Sequence, residues 1–440
     1  MPTIYHWLMP ITVDQARYNT LIGRAGYFAT PTAKPRDDKP TPDANNVLNL
    51  GDFKSIDATG VADSTSAVQA AMDAAVAKGS TLFVPPGTYS CRSLNVPKGL
   101  VMTSYSPSGY GITVTKHATI ALRAGTNDHL LKGAVGVAHV RISGIHFDGN
   151  KNNNTSGDIV HLDDAGTAEE AQWHLRDCFF DAAAGYGVYV GNGRRAVQLS
   201  DCTLNYSKLS GARINGSDAH IDRCIFGSNM EHGIGVGGTV CNINDCDIYG
   251  NGTSGDTGTG DGITVFSTLT QVNIRGNRID QNRRHGTLIS ASCESIVVDN
   301  NVYHGNSQHS NGGYNAVHVL TTSGSVTINA NTFSVDGNVS NKSGYAVWLA
   351  ANASARGHGN VMQSGAVVTG ITNAPRRWSQ TNSDRTCAWA PSAAIVANMN
   401  RADTVIGNVT GVLTSGRLFL AGGAVLPAGV PVTSITFLSG

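Results

Sequence analysis

Four stretches decide the fold: LRDCFF (175–180), LSDCTL (199–204), IDRCIF (221–226) and INDCDI (243–248). Their cysteines, Cys178, Cys202, Cys224 and Cys246, stand 24, 22 and 22 residues apart. The frame then continues with asparagine in IRGNRI (274–279), VDNNVY (298–303), INANTF (328–333) and a degraded GHGNVM (357–362). Asn277, Asn301, Asn331 and Asn360 hold the cysteine position. Each copy reads apolar-x-x-Cys/Asn-x-apolar, which is two short strands joined by a tight bend whose residue points inward. A third alternating strand follows in every copy: GVYVG (187–191), ARING (212–216), GIGVG (233–237), GITVF (262–266), GTLIS (286–290), AVHVL (316–320) and AVWLA (346–350).

Three short strands per 22–31 residues predict an all-β chain built as a parallel β-helix, with coils about 4.8 Å apart. Like residues then stack on like. The cysteines form an interior ladder and are read as free buried thiols, and the asparagines form a ladder of amides. Composition agrees. The 52 glycines in 440 residues follow no collagen-like triplet and fit many tight turns. Lys plus Arg (31) balances Asp plus Glu (31), which argues against a nucleic-acid partner. No long apolar run predicts a membrane span. Residues 1–12 lack the marks of a secretory signal, so assembly in the cytoplasm is expected.

The stretch GDFKSIDATGVADSTSAVQAAMDAAVAKGSTLFVPPGTY (51–89) holds one amphipathic helix. Val68, Ala71, Met72, Ala75 and Val76 share a face, Ser64 or Thr65 caps its start and Gly79 ends it. This stretch resembles the entry segment of pectate-lyase-like β-helix proteins, which read G-D-F/Y-G-A-x-G-D-G, then D-T-x-A-I-Q-A-A, a strand and P-P-G-T-Y. The resemblance implies a right-handed parallel β-helix whose helix covers the first open edge. With the coils it spans residues 47 to about 370. It is specific for fold and not for activity.

Residues 1–46 contain PTAKPRDDKPTP (31–42) and read as an arm with a proline-rich linker. Residues 47–375 read as the capped β-helix, and 376–440 as a linker plus an alternating, partial β-sandwich segment. This tail resembles a β-module in tail proteins of phages of actinobacteria. The three parts together resemble a phage tail spike or tail-tip protein. That resemblance implies a virion tail location, other tail proteins as partners, a homotrimer, and binding or depolymerisation of a host cell-envelope polysaccharide. A non-catalytic structural or adhesion protein is the alternative, and a bacterial polysaccharide lyase or glycoside hydrolase a second one.

The frame sorts side chains into columns. Gly187, Gly211, Gly233, Gly262 and Gly286 open the third strand in successive coils. The residue before them runs Tyr186, Ser210, His232, Asp261, His285, Asn315, Tyr345. The outward third position runs His161, Tyr189, Arg213, Gly235, Thr264, Leu288, His318, Trp348. His232, Asp261 and His285 fall on three consecutive coils and are the expected catalytic group, because carboxylates and imidazoles move protons. Glu231, Arg283, Arg284, Arg213, Tyr189, His318 and Trp348 are the expected substrate contacts, with Asp256 in the long loop GNGTSGDTGTGDG (250–262). EHGIGVGG (231–238) and GDGITV (260–265) resemble the polygalacturonase motifs G-H-G-I-S-I-G and N-T-D-G-I-D-I. Their order is reversed, however, and that family's double-aspartate and R-I-K motifs are absent, which argues against its activity. The column Asp177, Asp201, Arg223, Asp245 is expected to pair at a bend. Asp158, His161, Asp163 and Asp164 form a second acidic spot. No cofactor or metal is expected, calcium being the alternative at an acidic cluster.

Overall fold

Nine successive coils turn on a residue held in the left-handed region. In the computed structural model, Gly144, Asp177, Asp201, Arg223, Asp245, Gly276, Asn300, Ala330 and Gly359 share one corner, all with φ between +50° and +71°. Glycine, aspartate and asparagine tolerate this conformation best, which explains most of the column. Arg223 sits there at φ +52° and makes a two-pronged contact with Asp201, at 2.7 and 2.9 Å. The structure describes residues 46–363 and 366–367, apart from 106–116, 256–257, 267–270, 291–294, 321–324, 336–338, 340 and 350–354. Beyond these it describes only short strands in the two terminal regions.

The chain divides into two compact units, Met1–Asn46 and Val47–Gly440. The first contains an antiparallel strand pair, Thr3–His6 with Met9–Thr12. In the second, consecutive coils pair in parallel register along three sheets of 13, 12 and 10 strands. The thirteen-stranded sheet runs from Val47–Asn49 to Trp378–Ser379, the twelve-stranded from Thr59–Asp63 to Val361–Met362, and the ten-stranded from Leu94–Asn95 to Val347–Leu349. Pairing therefore reaches Trp378–Ser379, slightly past the end read from the repeat. Further on, Gly411–Val412 pairs with Pro431–Val432 and Leu418–Phe419 with Leu426 and Val425, both antiparallel.

Beside each left-handed residue the ladder side chain points inward. Asn277 donates from Nδ2 to the Ile243 carbonyl one coil back and to Asn301 Oδ1 one coil on, both at 2.9 Å. The Asn277 amide also donates to Asn301 Oδ1, at 3.0 Å. Asn301, Asn331 and Asn360 continue the pattern. The cysteines occupy the same slot more weakly: Cys202 Sγ donates to the Leu175 and Ser200 carbonyls, both at 3.3 Å. The six described cysteines are free and buried. Burial pushes the thiols of Cys91 and Cys241 up to about 12 and those of Cys178, Cys202 and Cys224 well above the usual range. A second amide ladder, Asn229, Asn251, Asn282 and Asn306, closes the next corner in the same way.

The glycine column has a steric cause. A Cβ on Gly187, Gly211, Gly233, Gly262 or Gly286 would lie 2.5–2.9 Å from the carbonyl oxygen of the next coil. Only glycine lets the backbones approach this closely. The helix spans Thr65–Ala77 and buries Ala67, Val68, Ala71, Met72 and Ala75 against the first strands. Its cap differs from the expectation. Ser64 holds the cap position without a side-chain cap bond, because its hydroxyl accepts the Asp57 amide at 3.0 Å. Asp63 Oδ1 accepts the Thr65 amide instead, at 3.0 Å.

Replacing Asn301 by alanine removes the acceptor of the Asn277 amide, one of the two acceptors of its Nδ2 and the side-chain donor to the Ile274 carbonyl, all in a dry interior. Chemical denaturation should show a loss of about 3 kcal/mol or more, against about 1 kcal/mol for Cys202→Ala. The six buried thiols should stay unreactive toward a thiol-specific reagent at pH 8 until the fold is lost. Rapid native labelling would contradict the ladder.

Candidate functional site

The ten-stranded sheet carries the chemistry, because its corner column and its outward column lie side by side. Register places His161, Tyr189, Arg213, Gly235, Thr264, Leu288, His318 and Trp348 in one row across successive strands. Along the corner, six side chains accept the backbone N–H of the next coil. The Asp158 amide donates to His129 Nδ1 at 3.0 Å and the Tyr186 amide to Asp158 Oδ1 at 2.7 Å. The Asp261 amide donates to His232 Nδ1 at 3.2 Å, His285 to Asp261 Oδ1 at 3.0 Å, Asn315 to His285 Nδ1 at 2.9 Å and Tyr345 to Asn315 Oδ1 at 3.2 Å. The column is thus a run of acceptors that ties coil to coil.

His232, Asp261 and His285 do stand on three consecutive coils. Burial changes what they can do. Asp261 is 0% exposed and His285 5%, so neither the carboxylate nor most of that imidazole has a face for a sugar. Asp261 Oδ2 accepts the Thr264 hydroxyl at 3.0 Å, and Arg284 Nε lies 3.6 Å from Oδ1. Burial alone would raise its pKa, but the contacts with His232, His285 and Arg284 outweigh that and hold it below the usual range. Burial pushes His285 down to about 3 and His318 down to about 4.

The expected groove is also interrupted. Thr264 and Leu288 are buried, although the strand alternation points them outward. Phe266 lies across the middle of the row, with the Arg213 guanidinium 3.4 Å from its ring centroid. A Cβ on Gly235 or Gly237 would meet that ring at 3.1 or 2.6 Å. Arg283 and Arg284, expected as substrate contacts, hold the long loop instead. Arg284 donates from its amide to the Gly260 carbonyl at 2.9 Å and from Nη1 to the Gly258 carbonyl. Arg283 Nη2 reaches the Gly255 carbonyl at 3.4 Å. Asp256 lies outside the described residues. Glu231 is half-buried, with Ser210 Oγ 3.5 Å from its carboxylate.

Two patches flank this covered centre. In the first, His129 stacks on His161 at 3.7 Å and His161 on Tyr189 at 4.7 Å. His161 Nδ1 is 2.6 Å from Asp158 Oδ2, and its Nε2 is 3.4 Å from Asp163 Oδ1. The Tyr189 hydroxyl donates to Asp164 Oδ1 at 3.2 Å. Ligand atoms of His129, Asp158 and His161 come within 4.8 Å of one another. Asp158 Oδ2 lies 3.2 Å from His129 Nδ1 and 2.6 Å from His161 Nδ1, so both imidazoles face one carboxylate oxygen. In the second patch, His318 stacks on Trp348 at 4.3 Å and lies 4.3 Å from His285. Tyr314 stands edge-on to His285 at 5.2 Å, with Arg284 over its ring at 5.3 Å.

The sequence reading missed a group on the twelve-stranded sheet. Asp148 and Asp181 are register partners there, and His146 Nε2 is 3.9 Å from Asp181 Oδ2. Burial and the neighbouring Asp148 push Asp181 up to about 6, while burial drives His146 down to about 4. The signal was present in the alignment of HFDGN (146–150) with FFDAA (179–183), but charge was followed only along the other sheet.

The pH dependence of stability follows. His146, His285 and His318 titrate at about 4, 3 and 4 when folded and near 6.5 when unfolded. Between roughly pH 4 and 6.5 the unfolded chain binds more protons at these sites, so stability falls as pH falls. Asp181 opposes this between its ordinary value and about 6. Melting followed by circular dichroism should give a lower Tm at pH 4.5 than at pH 7.5, with the gap narrowed in His318→Asn. A flat profile would contradict the buried neutral imidazoles.

Comparison with known proteins agrees with this architecture. Residues 143–333 match the family described as right handed beta helix region. A depolymerase of Klebsiella phage K5-2, described as specific for capsule K30/K69, is 28% identical over 282 residues, which cover 59% of this chain and 33% of the relative. The chain thus spans about a third of the length of that relative. The crystal structure of the Dettilon tailspike protein superposes with a TM-score of 0.63 at 16% identity, over 86% of this chain and 74% of that one. The A-module of the Azotobacter vinelandii mannuronan C-5 epimerase AlgE6 gives a TM-score of 0.57 at 16% identity, over 77% and 99%. The chain is a right-handed parallel β-helix protein with the architecture that phage tail spikes carry.

Proposed function

We propose that this chain is a tail-associated β-helix protein of a phage, and that it binds a host cell-envelope polysaccharide along the ten-stranded sheet. The observation that carries the reading is the row of His161, Tyr189, Arg213, His318 and Trp348, half-buried side chains fixed on one rigid face. Sugar rings stack their C–H faces on aromatic side chains and hydrogen-bond to imidazoles and amides at their edges. Within each of the two patches a glycan laid along the stack meets such groups on successive coils, about 4.8 Å apart. The capsule-directed phage relative supports the same ligand class. Partners in this reading are other tail proteins and two further copies of the chain, in a virion assembled in the host cytoplasm. Among the described residues no helix is long and apolar enough to cross a membrane.

A second reading, a non-catalytic adhesion or structural protein, is favoured by the full burial of Asp261, which removes the expected catalytic carboxylate from solvent. Both readings require binding. With capsular polysaccharide of Klebsiella types K30 and K69 as the first probes, Trp348→Ala and Tyr189→Ala should each weaken binding about tenfold. Unchanged affinity in both would place the ligand elsewhere. Light scattering should give a particle of three chains rather than one of 45.9 kDa.

A further inference from the structure

The middle of the outward row is a hollow with a ring in it. Gly235 and Gly237 stand two residues apart on the same side of their strand. Neither has a positive φ, so backbone conformation does not call for glycine at either position. Space does. A Cβ on Gly235 would meet Phe266 Cε1 at 3.1 Å, and one on Gly237 would meet Phe266 Cε2 and Asn215 Oδ1, each at 2.6 Å. Phe266 follows Val265, the register partner of Val236, so its backbone lies beside Gly237 in the adjacent coil. From there the half-buried ring folds back across both glycines and ends against Arg213, two strands away. Arg213 forms the wall of the hollow. Its guanidinium lies 3.4 Å from the ring centroid, its Nε donates to Asn215 Oδ1 at 3.0 Å, and Asn215 Nδ2 donates to the Tyr189 hydroxyl at 3.2 Å. The wall is therefore tied directly to the first aromatic patch.

Resting on the binding reading above, we propose that this hollow is a further sugar subsite, and that Phe266 is a specificity-determining gate that fills it while no glycan is bound. A pyranose is a six-membered ring like the phenyl group, and its C–H face packs on a glycine floor and a guanidinium face in the same way. The phenyl ring leaves without any unfolding. The Phe266 amide donates to the Val236 carbonyl at 3.0 Å, so the backbone stays fixed and only the side chain turns between rotamers. That side chain has no polar atom, so no hydrogen bond breaks. What it gives up is contact with the two glycines and the cation–π stack on Arg213. A sugar ring restores the packing and adds hydrogen bonds that phenyl lacks, because neither Nη group of Arg213 bonds to a described residue. The hollow lies on the path between the two patches. Tyr189 and His318 stand five strands apart in the sheet, about 24 Å. A single sugar bound at Tyr189 stays clear of the gate, whereas a chain running on toward Trp348 crosses it. The gate therefore discriminates by glycan length.

The discriminating variant is Phe266→Ala in the full chain, which leaves the hollow open. A gated site binds with an apparent affinity lowered by the fraction of molecules that are open. Phe266→Ala should therefore bind long fragments of the K30 and K69 capsular polysaccharides about tenfold more tightly than the wild type, with no gain for monosaccharides. Adding Gly235→Val to Phe266→Ala refills the hollow and should cancel the gain. Circular dichroism checks that each variant is folded. In a second measurement, para-fluorophenylalanine replaces Phe266, and its fluorine NMR resonance should move when the polysaccharide saturates the protein. Unchanged or weaker binding of long fragments by Phe266→Ala, a gain that survives Gly235→Val, or a resonance that stays in place while glycan is bound would each overturn the gate. If that happens while Tyr189→Ala still weakens binding, the gate falls and the binding reading stands. Absence of binding by both the wild type and Phe266→Ala overturns the two together.

Discussion

Parallel coils can stack only if the buried polar groups at every corner find partners in the coil above or below. A turn inside a β-helix leaves amides and carbonyls facing a dry interior, where each unpaired group would cost about 1–3 kcal/mol. The chain meets this constraint with side chains that imitate backbone. An asparagine at a corner accepts a backbone amide of the preceding coil with its oxygen and donates to a carbonyl of that coil with its nitrogen, as Asn277 does with Cys246 and Ile243. Both interior corners use this device, and the cysteine run is a weaker version of it.

The same requirement produces the functional columns. At the corner that opens the ten-stranded sheet, the acceptors are histidine, aspartate and asparagine. Histidine and aspartate are also residues of acid–base chemistry. Stability and chemistry are therefore written in one column, and burial separates them. Asp261 and His285 are sealed in and serve the stack. His161, Tyr189, His318 and Trp348 stand one strand position further out and remain half-buried. Phe266 over Gly235 separates the face into two patches.

Much of this was legible in the sequence. Cys178 to Asn360 gave the period, and the period gave the strand register, the glycine column and the order of residues in each row. Some features escaped it. Asn229 to Asn306 form a second ladder five residues after the first, visible in the spacing once known. Thr264 and Leu288 alternate outward yet are buried, and the Thr264 hydroxyl is taken by Asp261. Ser64 sits at the helix start, but its hydroxyl is drawn to the Asp57 amide.

What the sequence determined by itself was periodicity: a coil of three strands, repeated, with like residues stacked on like. A repeat dictates register because each coil must bury the same face against the last. What only the tertiary structure decided was which members of a column meet solvent and which partner each side chain takes in the next coil. Exposure depends on loops and rings arriving from elsewhere in the coil, and the partner depends on which atom of Asp158, Asp261 or Asn315 is already taken by the next coil's amide. Neither is a property of any residue's own neighbourhood in the chain.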